Sequence, residues 1–308
     1  MAIAVISDIH GNIEALDAIL NDISEQEQKH GITAIHCLGD IVGYGPDPIE
    51  CIQRVRECCS VVIGGSHEES VCFIPKEVMP CLYNDDAVPS ILWTRHLLYT
   101  QARNELFYLS KLQYVKLPDG DNAQKLIAEV HGTLCHALQD GDDIKWKKRH
   151  PNNPPHGAIA CAAINSYATI IENCPEGEKN ICRCFGSLAR IKKRVCFVGH
   201  AHNAEAFCWK PNAPAFRPVR IDFGNEFGTE SSAEIQLVEP DFYVINPGSV
   251  GQPRDEDPRA SYCIYKGDRI IYRRVPYDYV ETMHKIMRIP DIDKTTRAHL
   301  SARLRYGL

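Results

Sequence analysis

Two aspartates and four histidines stand in five settings along the chain: Asp8-Ile9-His10, Gly39-Asp40, His131-Gly132, Gly199-His200 and Ala201-His202. Carboxylates and imidazoles are the side chains that hold divalent cations. Each of the two pairs spaced i, i+2 follows an apolar run, Ile3-Ala4-Val5-Ile6 before Asp8 and Val195-Cys196-Phe197-Val198 before His200. Alternation along a strand sends residues two apart to one side. Each strand end is therefore expected to aim two ligands at one point, and the chain is committed to strands whose ends converge.

The rest of the opening third agrees with that demand. Residues 12 to 28 carry Ile13, Leu16, Ile19, Leu20 and Ile23 at helical spacing, and Gly31 ends the pattern before a strand over Thr33 to Cys37. Asp47-Pro48-Ile49-Glu50 has a capping-box arrangement with proline at the first helical position, and a further strand is expected over Ser60 to Ile63. This is a parallel β-α-β beginning, with candidate ligands at strand C-terminal ends. Residues 88 to 112 read as helical, and Lys125 to Val130 as a strand running into His131.

From Gln139 to Gly157 the chain is charged and rich in proline and asparagine, followed by helical patterns near Ala158 to Ile171 and Ile181 to Lys192. Residues 137–193 are expected to form a cap insertion within a single domain over 1–308. After Gly199, short β segments at Ala204 to Trp209, Glu234 to Val238, Phe242 to Asn246, Ser261 to Tyr265 and Arg269 to Val275 suggest a second, more antiparallel sheet. Two helices, near Tyr279 to Met287 and Lys294 to Arg305, close the chain.

With 44% hydrophobic residues, 308 residues can bury a substantial core. A net charge of -6 argues against a long basic track, so polymeric nucleic acid is disfavoured and a local basic patch around a small anion is retained. The fourteen cysteines are scattered and show no disulfide framework, which reads as reduced, buried, small apolar side chains. A first strand at Ile3 leading straight to Asp8 leaves no room for a cleavable leader, and no stretch has the length of a membrane span, so a cytoplasmic protein without membrane partners is expected. Oligomeric state is not legible.

The pattern D-x-H, G-D, G-N-H-[DE], H and G-H-x-H resembles the calcineurin-like metallophosphoesterase superfamily. It is matched by Asp8-x-His10, Gly39-Asp40, Gly65-Ser66-His67-Glu68, His131 and Gly199-His200-Ala201-His202, with Ser66 where the family carries asparagine. The stretch Asn246 to Arg254, continuing through Asp257 to Tyr262, is similar to a small bacterial branch related to diadenosine tetraphosphatases. The resemblance implies an α/β fold, a four-layer α/β/β/α sandwich of two mixed sheets, and leaves the helical cap insertion unmatched.

It also implies a phosphoesterase, a phosphatase or phosphodiesterase, acting on a small anionic phosphate ester or nucleotide through two divalent or mixed-valence ions (Mn, Fe, Zn or Ni). One ion would be held by Asp8, His10, Asp40 and His202, the other by Asp40, His131, His200 and the position of Ser66, with a hydroxide between them as nucleophile. His67 would serve as proton donor to the leaving oxygen and Glu68 would orient it. A serine hydroxyl is a weaker ligand for a hard cation than a carboxamide oxygen, so the second ion is expected to be held less tightly.

Arg254 is a candidate partner for a substrate phosphate, although the proline- and glycine-rich stretch around it reads first as a turn between strands. The run Lys145 to Arg149 reads as a solvated face. The competing reading is a binding or regulatory scaffold of the same fold with weakened catalysis, for which Ser66 is the sequence support.

Overall fold

The computed structural model describes residues 2–113, 116–117, 133–135, 137–138, 194–211, 216–223 and 229–308. His131, the strand expected at Lys125 to Val130, Lys145 to Arg149 and the cap beyond residue 138 lie outside the described residues.

Strand β1 (Ala2–Ile6) leads into α1 (Ile13–His30), whose first turn is capped by Asn12, the side-chain oxygen accepting the Ala15 N–H at 3.1 Å. Gly31 closes the helix in the left-handed region, donating its N–H to the Glu27 carbonyl. The face carrying Ala15, Leu16, Ile19 and Ile23 is buried. Each large aliphatic side chain so buried contributes roughly 1.5–3 kcal/mol.

After β2 (Ile32–Cys37), α2 (Pro48–Cys58) begins at proline as expected, but Asp47 makes no side-chain cap. Its carboxylate instead pairs with Lys285 Nζ at 3.0 Å, a charged partner that outcompetes a backbone N–H in this partly buried place. Strand β3 (Val61–Val62) and a short helix α3 (Ser66–Cys72) follow. The helical stretch expected over residues 88 to 112 is two helices, α4 (Ala87–Gln101) and α5 (Arg103–Leu109), broken at Ala102 with φ -143° and ψ 59°. Alanine favours helix, so residue type gives no sign of this break; Leu98 and Ala102 are both buried at it, and packing overrides propensity.

Short strands β4 (Lys116–Leu117), β5 (Thr133–Cys135) and β6 (Ala137–Leu138) precede β7 (Val195–Val198), β8 (Ala204–Trp209), β9 (Arg217–Pro218), β10 (Ser231–Gln236), β11 (Phe242–Pro247), β12 (Ala260–Tyr265) and β13 (Arg269–Val275). Helices α6 (Tyr279–Met287) and α7 (Lys294–Tyr306) end the chain. Both large sheets are mixed: one runs β10-β13-β12-β1-β2-β3, the other β5-β7-β11-β8-β9. The late strands therefore do not make a sheet of their own. Strands β12, β13 and β10 extend the first sheet beyond β1, each antiparallel to its neighbour, while β8 and β11 join β7 in the second.

The side chains of β12 show why. Tyr262 and Ile264 enter the cluster that holds Leu16, Ile19 and Ile52, whereas Cys263 and Tyr265 enter the cluster that holds Phe197, Phe207 and Ile245. A strand apolar on both faces must lie in the middle of a sheet, between two layers. The second cluster is the seam where the two sheets meet face to face, and the first lies between the six-stranded sheet and the helices. Cys58, Cys59, Cys72 and Cys81 are free thiols, as are the buried Cys37, Cys51, Cys196, Cys208 and Cys263. Among the described residues no helix is long and apolar enough to cross a membrane.

Candidate metal centre

Strands β1 and β7 stop at Ile6 and Val198, short of the residues they were expected to aim by alternation. Asp8 (φ 56°), His10 (φ 50°), Asp40 (φ 49°), His200 (φ 76°) and His202 (φ 64°) all lie in the left-handed region. Convergence is thus produced by tight turns beyond the strand ends. Such residues cost on the order of 1 kcal/mol or more apiece and persist only when their surroundings fix them. Here the fixing is a backbone lattice, with Asp8 N–H to Gly39 O at 3.0 Å, His10 N–H to Asp40 O at 2.9 Å and Gly251 N–H to Asp8 O at 3.0 Å.

Asp8, His10, Asp40 and His202 are buried, and one ligand atom from each falls within 4.8 Å of the others. His10 donates from Nδ1 to Val42 O at 3.1 Å and His202 donates from Nδ1 to Gln252 O at 2.7 Å. A carbonyl only accepts, so both rings carry their proton on Nδ1 and present a lone pair at Nε2. These two Nε2 atoms are 3.0 Å apart, and His202 Nε2 is 3.5 Å from Asp8 Oδ1. Facing lone pairs need a positive species to share. Burial first, then the nearby His67 for His10 and Arg254 for His202, hold both imidazoles well below the ordinary histidine range, which disfavours a proton there. Neutral imidazoles beside two carboxylates are the donor set of a divalent cation.

Asp40 is held from several sides. Its Oδ1 accepts the His67 N–H at 2.7 Å, and Ser66 Oγ donates toward its Oδ2 at 3.2 Å. The Glu68 carboxylate accepts the amides of Asp40 (2.8 Å), Val42 (3.0 Å) and Gly65 (2.8 Å), so these bonds support a role in fixing the Asp40 turn. The glycines of the two motifs are required by contact. A Cβ at Gly39 would lie 2.4 Å from Gly65 N, and one at Gly65 2.3 Å from Asp40 N. His200 donates its backbone N–H to both Asp8 oxygens at 3.0 Å.

A cavity of about 230 Å³ opens beside this cluster, lined among others by Asp40, Tyr44, His67, Tyr83, His200 and Arg254. The His67 ring is 4.7 Å from His10, 4.6 Å from Tyr44 and 5.6 Å from Tyr83. Arg254 is steadied by Gln252, whose Oε1 accepts its Nη2–H at 3.0 Å, and its guanidinium lies 5.8 Å from the Tyr44 ring centre.

The stretch Asn246 to Arg254 is therefore more than a connecting turn. Ser249 Oγ donates to Asp8 O at 2.7 Å and accepts the Gln252 N–H at 2.8 Å, tying Asp8 to the loop that holds His202. Gln252, Val42, Tyr44 and Tyr83 were not singled out by sequence; Gln252 and Val42 act through backbone carbonyls, which side-chain motifs do not reveal.

Two other places lack this chemistry. A larger, apolar groove of about 590 Å³ between α3, α4 and α5 is lined by residues such as Val71, Phe73, Tyr99 and Phe107, with no carboxylate or imidazole among the described residues that line it. The carboxylates of Asp22 and Glu230 come together near Glu25, but Arg273 bonds both, with Nε 2.9 Å from Asp22 Oδ2 and Nη2 3.2 Å from Glu230 Oε2. An arginine there occupies the place of a cation.

The sequence profile of calcineurin-like phosphoesterases matches residues 1–221. The uncharacterized protein MJ0912 of Methanocaldococcus jannaschii is 35% identical over 296 residues, covering 94% of each chain. The crystal structure of a metallophosphoesterase from Sphaerobacter thermophilus is similar over 100% of both chains, at 27% identity and a TM-score of 0.61. A solved structure described as a putative diadenosine tetraphosphatase is similar over 88% of this chain and 92% of that one, at 13% identity and a TM-score of 0.41, too loose a likeness to carry a substrate across. With most of its length matched by the family profile and nearly all of it by a relative, this chain belongs to the calcineurin-like phosphoesterase family.

Proposed function

We propose that the protein is a dinuclear metal-dependent phosphoric ester hydrolase acting on small anionic phosphate esters or nucleotides. The observation that carries this reading is the buried pair of imidazole lone pairs 3.0 Å apart with Asp8 and Asp40 beside them at the wall of a cavity. Asp8, His10, Asp40 and His202 would hold one cation. Asp40, His200, His131 and Ser66 would hold the second; His131 lies outside the described residues. Bound divalent cations supply charge neutralisation at the phosphoryl oxygens and acidify water enough for attack near neutral pH.

The protein's own groups do the rest. Arg254, pre-set by Gln252, offers its guanidinium to a non-bridging phosphate oxygen. His67, seated between Tyr44 and His10 at the cavity wall, is the group placed to give a proton to the leaving oxygen. Glu68 fixes the turn on which Asp40 sits rather than meeting substrate. We assign the whole chain to one metallophosphoesterase domain with 137–193 as an insertion.

A scaffold with weakened catalysis is the second reading, favoured by the Ser66 hydroxyl, which donates to Asp40 where a carboxamide oxygen would ligate. Protein stripped of metal and reloaded separately with Mn²⁺, Fe²⁺, Zn²⁺ or Ni²⁺ should release phosphate from a panel of monoesters and diesters. Two-ion binding without turnover for every metal and ester would overturn the enzyme reading in favour of the scaffold.

A further inference from the structure

We propose that Asn84 is a substrate-binding residue, donating its side-chain NH2 to a non-bridging oxygen of a phosphate monoester from the cavity wall formed by the segment before α4. The proposal rests on the phosphoesterase reading and narrows it to a substrate class. Asn84 is exposed and lines the cavity that also holds Asp40, His67, His200 and Arg254. Its orientation is fixed by chemistry. The side-chain oxygen accepts the Ala87 N–H at 2.9 Å, and a backbone N–H can pair only with the oxygen end of a carboxamide. The NH2 end is then the part of Asn84 left to the cavity, as a donor with no acceptor capacity.

The segment that carries Asn84 is anchored on both sides. Tyr83, immediately before it, donates its hydroxyl to Ser66 O at 2.9 Å and accepts from Ser70 Oγ at 2.6 Å, which ties the segment to α3. Asp86, just after it, accepts from Arg303 Nη2 at 2.9 Å and meets His299 Nδ1 at 3.2 Å, which ties it to α7. A donor held on a braced segment loses little freedom on binding, which is the condition for a useful hydrogen bond.

The composition of the wall selects the charge state. Among the described residues around the cavity, the polar groups facing a ligand are imidazoles, phenols, the Arg254 guanidinium and the Asn84 carboxamide, and Asp40 is the single carboxylate. A monoester dianion presents three non-bridging oxygens, more than a metal centre alone can satisfy, whereas a diester presents two and one negative charge. Arg254 and Asn84 supply the additional donors that a dianion needs.

Asn84→Asp is the decisive variant because it keeps an oxygen to accept the Ala87 N–H and replaces the donor with a negative charge. Metal-loaded parent and variant are compared on p-nitrophenyl phosphate and bis(p-nitrophenyl) phosphate, which share a leaving group, and by calorimetry with inorganic phosphate. The expected result is an unchanged Tm, a tenfold or greater loss of kcat/KM on the monoester, a smaller loss on the diester and at least tenfold weaker phosphate binding. Asn84→Ser, which keeps a short side-chain acceptor but does not reach into the cavity, should weaken monoester turnover and phosphate binding less than Asn84→Asp. Equal losses on the two esters, or phosphate binding unchanged in both variants, overturns the proposal. If the parent hydrolyses neither ester the phosphoesterase reading fails by itself, and phosphate calorimetry still decides the role of Asn84.

Discussion

Gly43 and His67 are packed so closely that a Cβ on Gly43 would fall 2.0 Å from His67 Nδ1, and Gly43 has φ +87°. The absence of a side chain at Gly43 is what lets the imidazole sit at the cavity wall. No motif joins these residues in sequence; they meet because the Asp40 turn and α3 are bonded through Glu68.

Gly43→Ala should therefore displace the His67 ring as well as strain the backbone. Stability is expected to fall by about 1–2 kcal/mol, and kcat by about tenfold or more on esters with poor leaving groups. His67→Ala should show the same dependence on leaving group, with metal content near that of the parent. Assays on alkyl and activated aryl phosphates, with metal analysis, check this; equal losses on both ester types would argue against a proton-donor role for His67.

Asp40→Asn removes a negative charge from the centre of the cluster while leaving a side chain of the same size. Metal content of the folded variant should drop, and hydrolysis should fall by at least about 100-fold, as expected for loss of a ligand between cations. Two tightly held ions in the folded variant, measured by elemental analysis, would sink the bridging assignment.

Ser66 reaches Asp40 as a hydrogen-bond donor, at 3.2 Å from Oδ2. Ser66→Asn should introduce a stronger oxygen ligand, tighten the second ion and raise activity at limiting metal, while the ion at Asp8, His10, Asp40 and His202 barely changes. Metal titration of parent and variant reads the two affinities. Equal, tight binding of both ions in the parent, unaltered by the substitution, would remove the support for a weakened second position.

His36 is buried on β2, its Nδ1 has no hydrogen-bond partner among the described residues, and desolvation pushes its pKa down to about 4. In the unfolded chain it takes up a proton near the ordinary histidine value of about 6.5. The folded state thus binds fewer protons, so its contribution to stability is present above about pH 6.5 and is lost as pH falls toward about 4. His36→Leu should flatten the stability profile of metal-free protein over that window, by on the order of 1 kcal/mol between about pH 7.5 and 5. Urea unfolding at several pH values measures it, and parallel profiles for parent and variant would contradict the assignment.

What residue order alone determined is the set of groups and the local elements that lead to them. The helical spacing of α1 and its end at Gly31, the proline start of α2, the apolar runs of β1 and β7 and both C-terminal helices were legible, because each is a pattern within a few turns of chain. Asp8, His10, Asp40 and His202 were legible as a candidate ligand set because few other roles ask for those residue types in that order, and the structure brings one atom from each within 4.8 Å of the others.

Tertiary structure decided how they meet. Alternation along a strand suggested convergence, whereas the left-handed turns at Asp8, His10, Asp40 and His202 depend on backbone partners from distant segments, such as Gly39 for Asp8 and Gly251 for its carbonyl. The tautomers of His10 and His202 are set by the carbonyls of Val42 and Gln252, whose side-chain identity is irrelevant to that bond. The break at Ala102, the two-sided burial of β12 and the carboxylate of Glu68 spent on three amides follow from packing and long-range hydrogen bonding. Residue type and spacing report the groups a chain carries; only the folded backbone determines which lone pair faces which.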